Sequence, residues 1–480
     1  MLSGLPLRLS LKRPGMAPTY DQLRSLLEPH GQRDVLQFWD QLNSQQQQSL
    51  SEAVERLDLG TILSAARSAA GHDSVGGLER AVTPPAVRLR QANREAWSQS
   101  ARRRGAEALA AGRIGCLLVA GGQGSRLGFD HPKGMFSIGP VSGASLFQIL
   151  LEKIVATRDR YDAPVPLYLM TSPATHEETM AYLQEQRHFG LADDDVHIFC
   201  QGTLPAVDAQ TNQLLLASPG QLALSPDGHG GMVEALARSG GLHAMQGRGI
   251  EHLFYFQVDN PLAQVCDPET IGAHLMAESE YTLQVINKRD PGERVGVVVS
   301  LGGAMRIIEY SDLPAQAAAA RERDGGLKFW AGSIAVHVFA VDFLRRAAAD
   351  PQALPLHRAL KKVPHIDRQG RLIEPQQPNA IKLERFIFDL LPRAARGLIV
   401  EVDPAAAFAA VKNAPGDKIE TPQYVQEFMM AQARRWLAAA GATVAEGVHV
   451  EISPRFALDG EELASKIKPG TVIERDTYFS

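Results

Sequence analysis

The chain is short of cysteine and of long apolar runs, and both shortages narrow its class. Cys116, Cys200 and Cys266 are the only thiols in 480 residues, too few and too scattered for a disulfide framework or a zinc site. Cys116 and Cys200 adjoin apolar runs, where a thiol acts as a small buried hydrophobe, and a reducing cytoplasm suits them. No apolar stretch reaches the roughly 18 residues that a membrane span needs. Charge of one sign is not in large excess either: a net charge of −5 gives no general attraction to nucleic acid or anionic membrane, so any positive potential must be local. Residues 1–15 carry Arg8, Lys12 and Arg13 and no acid, but no cleavage-site pattern follows them, and Met16 is an alternative start. No internal repeat is present. The remainder is ordinary, 45% hydrophobic and 21% charged, as expected of a soluble globular protein with room for two or three domains.

Two familiar phosphate loops are missing as well. A dinucleotide fingerprint needs G-x-G-x-x-G, and Gly122, Gly124 and Gly128 run one residue long. A Walker loop needs G-x-x-x-x-G-K-[ST], whereas Lys133 follows Pro132 and precedes Gly134. What stands there instead is the stretch from Cys116 to Gly139, CLLVAGGQGSRLGFDHPKGMFSIG. The apolar run Ile114 to Ala120 reads as a strand buried on both faces. It breaks into a glycine-dense loop at Gly121, Gly122, Gly124 and Gly128, with Arg126 inside and Lys133 close behind. Glycine permits close backbone approach and positive φ. Consecutive free N–H groups form an anion nest, and Arg and Lys add charge matched to phosphates.

The whole stretch resembles the L-x-x-G-G-x-G-T-R-L-G…P-K signature of nucleotide-sugar pyrophosphorylases. Its continuation P-K-G-M-F narrows the likeness to the eukaryotic-type UDP-sugar family that includes UDP-N-acetylglucosamine pyrophosphorylase. Ser125 stands where Thr is usual and keeps the hydroxyl.

Along the chain, Thr19-x-x-Gln22 reads as a capping box, and Leu23, Leu26 and Leu27 follow at helical spacing until Gly31. A second helix is expected over Val35, Leu36, Phe38, Trp39 and Leu42, before the polar tract Gln45 to Gln48. A loop at Gly71 to Gly77 and the Thr83-Pro84-Pro85 break close this helical segment. From Ile114 to Val402, β-rich runs alternate with helical patterns. Strands are expected at Ile114–Ala120, Val165–Thr171, Val196–Cys200, Leu253–Val258, Thr282–Ile286, Gly296–Ser300 and Ile334–Phe339. Ala315 to Arg321 reads as a short helix or loose connection. A helix from Pro422 to Ala440 and β-rich pieces at Val444–Ser453 and Thr471–Phe479 complete the chain. The fold expected is α/β. Residues 16–105 are a helical segment, and 406–480 carry a helix and a small β-rich domain. Between them, 106–405 form a mostly parallel mixed sheet, for which the resemblance implies a Rossmann-like, GT-A-like nucleotidyltransferase domain. In such sheets ligands lie at the carboxyl ends of the strands.

The resemblance assigns roles motif by motif. Ala120, Gly121, Gly122 and Gly124 belong to the nucleotide loop, with Arg126 and Lys133 as its catalytic charges. In Q-G-T-L-P, Gln201 is implied to read uracil, since a side-chain amide offers both a donor and an acceptor; without the resemblance it would be a solvent-facing amide in a turn. P-D-G-H-G-G, with Gly228 and His229, matches the loop backing base and ribose, His229 replacing an Asn. In V-D-N, Asp259 is implied to contact nucleotide and to hold Mg²⁺ or Mn²⁺, a hard ion that takes one or two carboxylates plus phosphates; an Asp capping the next turn is the plainer alternative. Gly296, Glu309 and Tyr310 match the segments embracing the sugar, and Ser333 replaces an Asn that contacts it. Phe386 and Phe388 match the aromatic pair on the acyl side of the pocket, although unaided they read as core. Lys412, in V-K-N-A, takes the position of the Lys that reaches the sugar phosphate.

The implied reaction is UTP plus sugar 1-phosphate giving UDP-sugar and pyrophosphate, by in-line attack on the α-phosphorus. N-acetylglucosamine 1-phosphate leads; glucose and galactose 1-phosphate follow because of His229 and Ser333. A UDP-sugar sensor without transfer is the second class considered. Retention of Arg126, Lys133, Asp259 and Lys412 speaks against it. Hydride transfer is disfavoured by the glycine count. No nucleic-acid or membrane partner is expected, and the chain is read as a cytoplasmic monomer or weak homo-oligomer.

Overall fold

The structure, a computed structural model, describes residues 19–68 and 78–480. The leader-like first fifteen residues, Met16 and the Gly71–Gly77 loop lie outside the described residues.

Residues sort into two compact units, one of 19–68, 203–225 and 356–384, the other of 78–202, 226–355 and 385–480. In the first, the Thr19 capping box forms as its sequence predicts: the Thr19 hydroxyl accepts from the Gln22 amide at 3.4 Å and the Gln22 side chain accepts from the Thr19 amide at 2.8 Å. The helix Tyr20–Leu27 follows, and Gly31 ends its 3₁₀ extension at φ 70°. The second expected helix does not form. Arg33–Leu36 and Trp39–Gln41 are separate 3₁₀ turns, because Asn43 caps a new helix, Ser44–Glu55, with its own capping box. Val35, Leu36 and Phe38 are nevertheless buried, so the apolar spacing located core and not helix. They pack with Leu23, Leu50, Leu63, Val207 and Ile381.

The second unit is built on a nine-stranded mixed sheet. Its strands are β1 (Ile114–Val119), β2 (Leu167–Thr171), β3 (Val196–Cys200), β4 (His252–Gln257), β5 (Tyr281–Asn287), β6 (Val297–Leu301), β7 (Ala304–Ile308), β8 (Ala331–Ala340) and β9 (Gly397–Glu401). The order is β7-β6-β8-β4-β1-β2-β3, and β5 and β9 join beside β8. All seven strands expected between Ile114 and Phe339 are present, their limits moved by a few residues. Around β1 the pairings are parallel: β1 with β2, β1 with β4, and β2 with β3. Those strands therefore send their carboxyl ends to one edge.

Strand side chains alternate between faces, and β1 shows it. Cys116, Leu118 and Ala120 join the core under the helices Arg94–Ala110, Leu146–Tyr161 and Pro268–Met276, whereas Leu117 joins Met232, Leu236, Leu344 and Tyr255 on the other face. The first layer is unusually tight. A Cβ at Gly272 would sit 1.7 Å from the Ala101 carbonyl oxygen and one at Gly105 1.9 Å from that of Pro268, so two helices touch backbone to backbone only because both positions are glycine.

The Cys116 and Cys266 sulfurs lie 3.2 Å apart, both buried. The thiols are scattered in sequence; in space these two are adjacent. Toward the C-terminus, Pro422–Ala439 is helical as expected, and Thr443–Val444 with Val472–Ile473, and Val450–Ile452 with Thr477–Phe479, form two short parallel ladders over a separate apolar cluster.

Candidate active site

The parallel strands place the sequence motifs together. Past Val119, Ala120 still donates to the Met170 carbonyl at 2.8 Å, and Ser172 Oγ donates to the Gly121 carbonyl at 2.7 Å. The chain then curls into the 3₁₀ turn Ser125–Leu127, closed by Gly128 at φ 70°. The Gly124 carbonyl accepts from Leu127 at 2.7 Å and the Gly122 carbonyl from Lys133 at 3.0 Å. This folds the loop on itself and leaves the amides of Gly122, Gln123, Ser125 and Arg126 without a hydrogen-bond partner among the described residues. Free amides in sequence are what an anion nest requires. Arg126 is exposed and Lys133 half-buried. Gly134 is forced by packing, since a Cβ there would lie 2.2 Å from the Phe147 ring.

Asp259 follows β4 at the same edge. Its neighbour Asn260 is spent on the backbone: Nδ2 donates to the Ala407 carbonyl at 2.9 Å, and Oδ1 accepts from Ala409 at 3.1 Å and Leu262 at 3.3 Å. Val411 donates to the Asp259 carbonyl at 2.8 Å. These bonds stitch residues 407–411 onto the turn and bring Lys412 beside Asp259. The ammonium of Lys133 in turn donates to the Val411 carbonyl at 3.4 Å. Lys412 Nζ sits 3.6 Å from the Glu420 carboxylate and remains about one-third exposed.

A second group surrounds β3 and the glycine loop after Pro226. Gln201 is 8% exposed, and its side-chain amide is unpaired among the described residues. Asp227 is buried, 3.7 Å from the Arg385 guanidinium, and burial pushes its carboxyl up to about 6. Gly202 and Gly231 close around it, for a Cβ at either would lie 2.6 Å or 2.1 Å from its carboxylate oxygens. Next to it, Gly228 takes φ 85°. The His229 ring stacks on Phe386 with centroids 5.5 Å apart and meets Phe388 at 5.6 Å. Its Nδ1 accepts from the Ile387 amide at 3.2 Å, which leaves the proton on Nε2. The glycine loop after Pro226 and the aromatic pair are thus one assembly.

The third group is the sugar set. Ser333 on β8 donates its amide to the Gly296 carbonyl at 2.8 Å, and the Glu309 carboxylate lies 3.2 Å from where a Gly296 Cβ would be. Tyr310 is 48% exposed and stands outside that contact.

Sequence reasoning passed over Asp227, Asn260 and Arg385. Asp227 and Asn260 were inside recognised motifs; their signals were a carboxylate between glycines and an Asn at a strand end. Arg385 gave none.

No group of three or more metal-ligating side chains occurs among the described residues. The half-buried Asp259 carboxylate has no hydrogen bond or ion pair within them. One free carboxylate near a loop of unpaired amides fits a hard ion such as magnesium or manganese that takes its remaining oxygens from a ligand, and does not fit a zinc cage.

The family model described as UTP–glucose-1-phosphate uridylyltransferase matches residues 80–459. The chain belongs to this family. It is 35% identical over 467 residues to the UDP-N-acetylglucosamine pyrophosphorylase of Saccharomyces cerevisiae, covering 93% of this chain and 96% of that protein. It is 34% identical to UDP-N-acetylglucosamine diphosphorylase 2 of Arabidopsis thaliana, covering 94% and 92%. The crystal structure of uridine diphosphate N-acetylglucosamine pyrophosphorylase from Trypanosoma brucei superposes with a TM-score of 0.82 at 26% identity, over 97% of this chain and 100% of the other. The expected nucleotidyltransferase fold is therefore present. No helix among the described residues is long and apolar enough to cross a membrane.

Proposed function

We propose that this member of the UDP-sugar pyrophosphorylase family joins UTP to N-acetylglucosamine 1-phosphate, forming UDP-N-acetylglucosamine and pyrophosphate. The observation that carries this reading is the convergence of the free-amide loop, Lys133, Asp259 and Lys412 at one edge of the sheet. That arrangement supports a site where amides and two cations receive phosphates and Asp259 is left for a metal ion, as in-line phosphoryl transfer would use.

Gln201 offers a donor and an acceptor to the uracil edge, and the Asp227–Gly231 loop backs base and ribose. The amides of Gly122 to Arg126, with the Arg126 and Lys133 charges, hold the triphosphate. Lys412 orients the sugar phosphate, whose oxygen forms the new bond to the α-phosphorus as the bond to pyrophosphate breaks. Arg126 and Lys133 take up the negative charge gathering on the departing pyrophosphate. Charges fixed before reaction are the main source of rate in such transfers. Asp259 would hold magnesium or manganese, which when bound neutralises charge on phosphoryl oxygens. Gly296 and Glu309 receive sugar hydroxyls, and the His229, Phe386 and Phe388 stack offers an apolar wall to the acetyl group.

Pyrophosphate release from UTP and Mg²⁺ with N-acetylglucosamine, N-acetylgalactosamine, glucose and galactose 1-phosphates tests the reading. The largest kcat/KM is expected with N-acetylglucosamine 1-phosphate. A glucose or galactose preference would overturn the sugar assignment, and no release with any of the four would overturn transfer itself.

A further inference from the structure

One half-buried charge takes no part in this mechanism. Lys153 lies on the helix Leu146–Tyr161, and its ammonium donates to the Pro261 carbonyl at 2.5 Å and the Ala263 carbonyl at 2.8 Å. Taking an ammonium out of water is costly unless a partner carboxylate compensates, and here the acceptors are neutral. Burial accordingly pushes its pKa down to about 7. The ammonium satisfies two carbonyls of one turn and no carboxylate, so what it holds is backbone.

The carbonyls it grips belong to the turn that starts at Asp259. In front, that turn is tied by Asn260 to residues 407–409 and by Val411 to the Lys412 arm. Leu262, Ala263, Val265 and Cys266 of that turn are buried in the core, and a cavity of about 450 Å³ adjoins them, with Lys153, Pro261, Leu262, Val265 and Cys266 in its wall. Beside that cavity the Lys153 bonds tie the turn to the helix Leu146–Tyr161.

We infer that Lys153 is a positioning residue for metal-dependent nucleotide binding, which braces the Asp259 turn from the cavity side so that Asp259 and Lys412 address one phosphoryl group. This rests on the reading of Asp259 as the metal-holding carboxylate, and the test separates the two.

Titration calorimetry measures UTP affinity with and without Mg²⁺ for the parent, Lys153→Met, Lys153→Arg and Asp259→Ala, alongside melting temperature and the KM for UTP. Lys153→Met is expected to remain folded, with a modest change in melting temperature from the two carbonyls left without a donor, and to bind UTP alone as the parent does. It should lose about ten-fold or more of the affinity that Mg²⁺ adds, the range for lost outer-shell support of a metal ligand. Lys153→Arg, which retains charge and donors, is expected to restore part of it. If Lys153→Met yields no folded protein, Lys153→Gln carries the same comparison. An intact Mg²⁺ gain in the variant lacking the ammonium, beside its loss in Asp259→Ala, would overturn the inference and spare the site. An intact gain in Asp259→Ala would overturn the reading of the site, and this inference with it.

Discussion

Lys133 and Val411 meet across 278 positions of sequence, the lysine ammonium donating to the valine carbonyl at 3.4 Å. The next residue is Lys412. The cation that follows the glycine loop and the cation proposed for the sugar phosphate are thus linked through one peptide unit.

That link predicts coupled losses. Lys133→Ala and Arg126→Ala are each expected to lower turnover about 10²-fold or more, as loss of a preorganised charge contact does. Lys412→Ala should act mainly on the KM for sugar 1-phosphate. Because Lys133 also holds the segment that bears Lys412, the Lys133→Ala, Lys412→Ala double variant should fall short of the summed single effects by about 0.5–3 kcal/mol. Additive losses would mean that the two cations act independently.

His229 invites a different substitution. Its Nδ1 accepts from the amide of Ile387, a fully buried residue. His229→Asn keeps an acceptor but gives up the ring stacked on Phe386. His229→Ala gives up both and leaves a buried amide unpaired, which costs about 1–3 kcal/mol. Denaturant unfolding should therefore rank the parent above the Asn variant and the Asn variant above Ala. The KM for N-acetylglucosamine 1-phosphate should rise in both. An Ala variant as stable as the parent would show that the His229 bond is not made.

The glycine at position 134 was legible as part of a motif but not as a packing requirement. With a Cβ 2.2 Å from the Phe147 ring, Gly134→Ala is expected to destabilise by about 1–3 kcal/mol through overpacking. It should also displace Lys133, so activity should fall further than the folded fraction alone accounts for. Calorimetric melting with activity measured on the same sample checks both.

What sequence made legible was whatever repeats locally. Apolar runs located seven of the eight sheet strands between Ile114 and Ala340, missing Ala304–Ile308, and glycine spacing located both loops. The failures are non-local. Val35 to Leu42 carried an apolar pattern that core burial satisfies without a helix once Asn43 caps a new one. Cys116 and Cys266, 150 positions apart, touch because β1 and the turn after β4 face the same layer. Lys153 looked like any helical lysine, since only the fold reveals that its neighbours are two carbonyls and a void.

The thiol pair gives a simple chemical check. Cys116 and Cys266 are buried, Cys200 is half-buried, and burial pushes the Cys116 thiol well above its ordinary range. A thiol must ionise to attack. An aromatic disulfide reagent should therefore titrate at most one thiol, Cys200, in the native protein, and all three in denaturant. Rapid native reaction of two or three would contradict the packing around β1.

Asp227 predicts a pH dependence of stability. Its carboxyl is held up to about 6 by burial, with Arg385 only partly opposing, whereas in the unfolded chain it titrates as an ordinary aspartate near pH 4. A folded pKa above the unfolded one means that the native state holds the proton more tightly. The resulting stability is fully present below pH 4 and is lost as pH rises through about 6. Each pH unit of displacement is worth about 1.4 kcal/mol, so the carboxylate costs the fold about 2–3 kcal/mol at pH 7. Asp227→Asn cannot ionise and escapes that loss. Relative to the parent it should gain about 2–3 kcal/mol between pH 4 and pH 7 in urea unfolding, whatever its offset at pH 4. His252 and His337, both pushed down by burial, alter the two proteins alike and cancel in the difference. A flat difference across that window would mean that Asp227 titrates in the native protein as it does unfolded, and that Arg385 offsets burial in this loop.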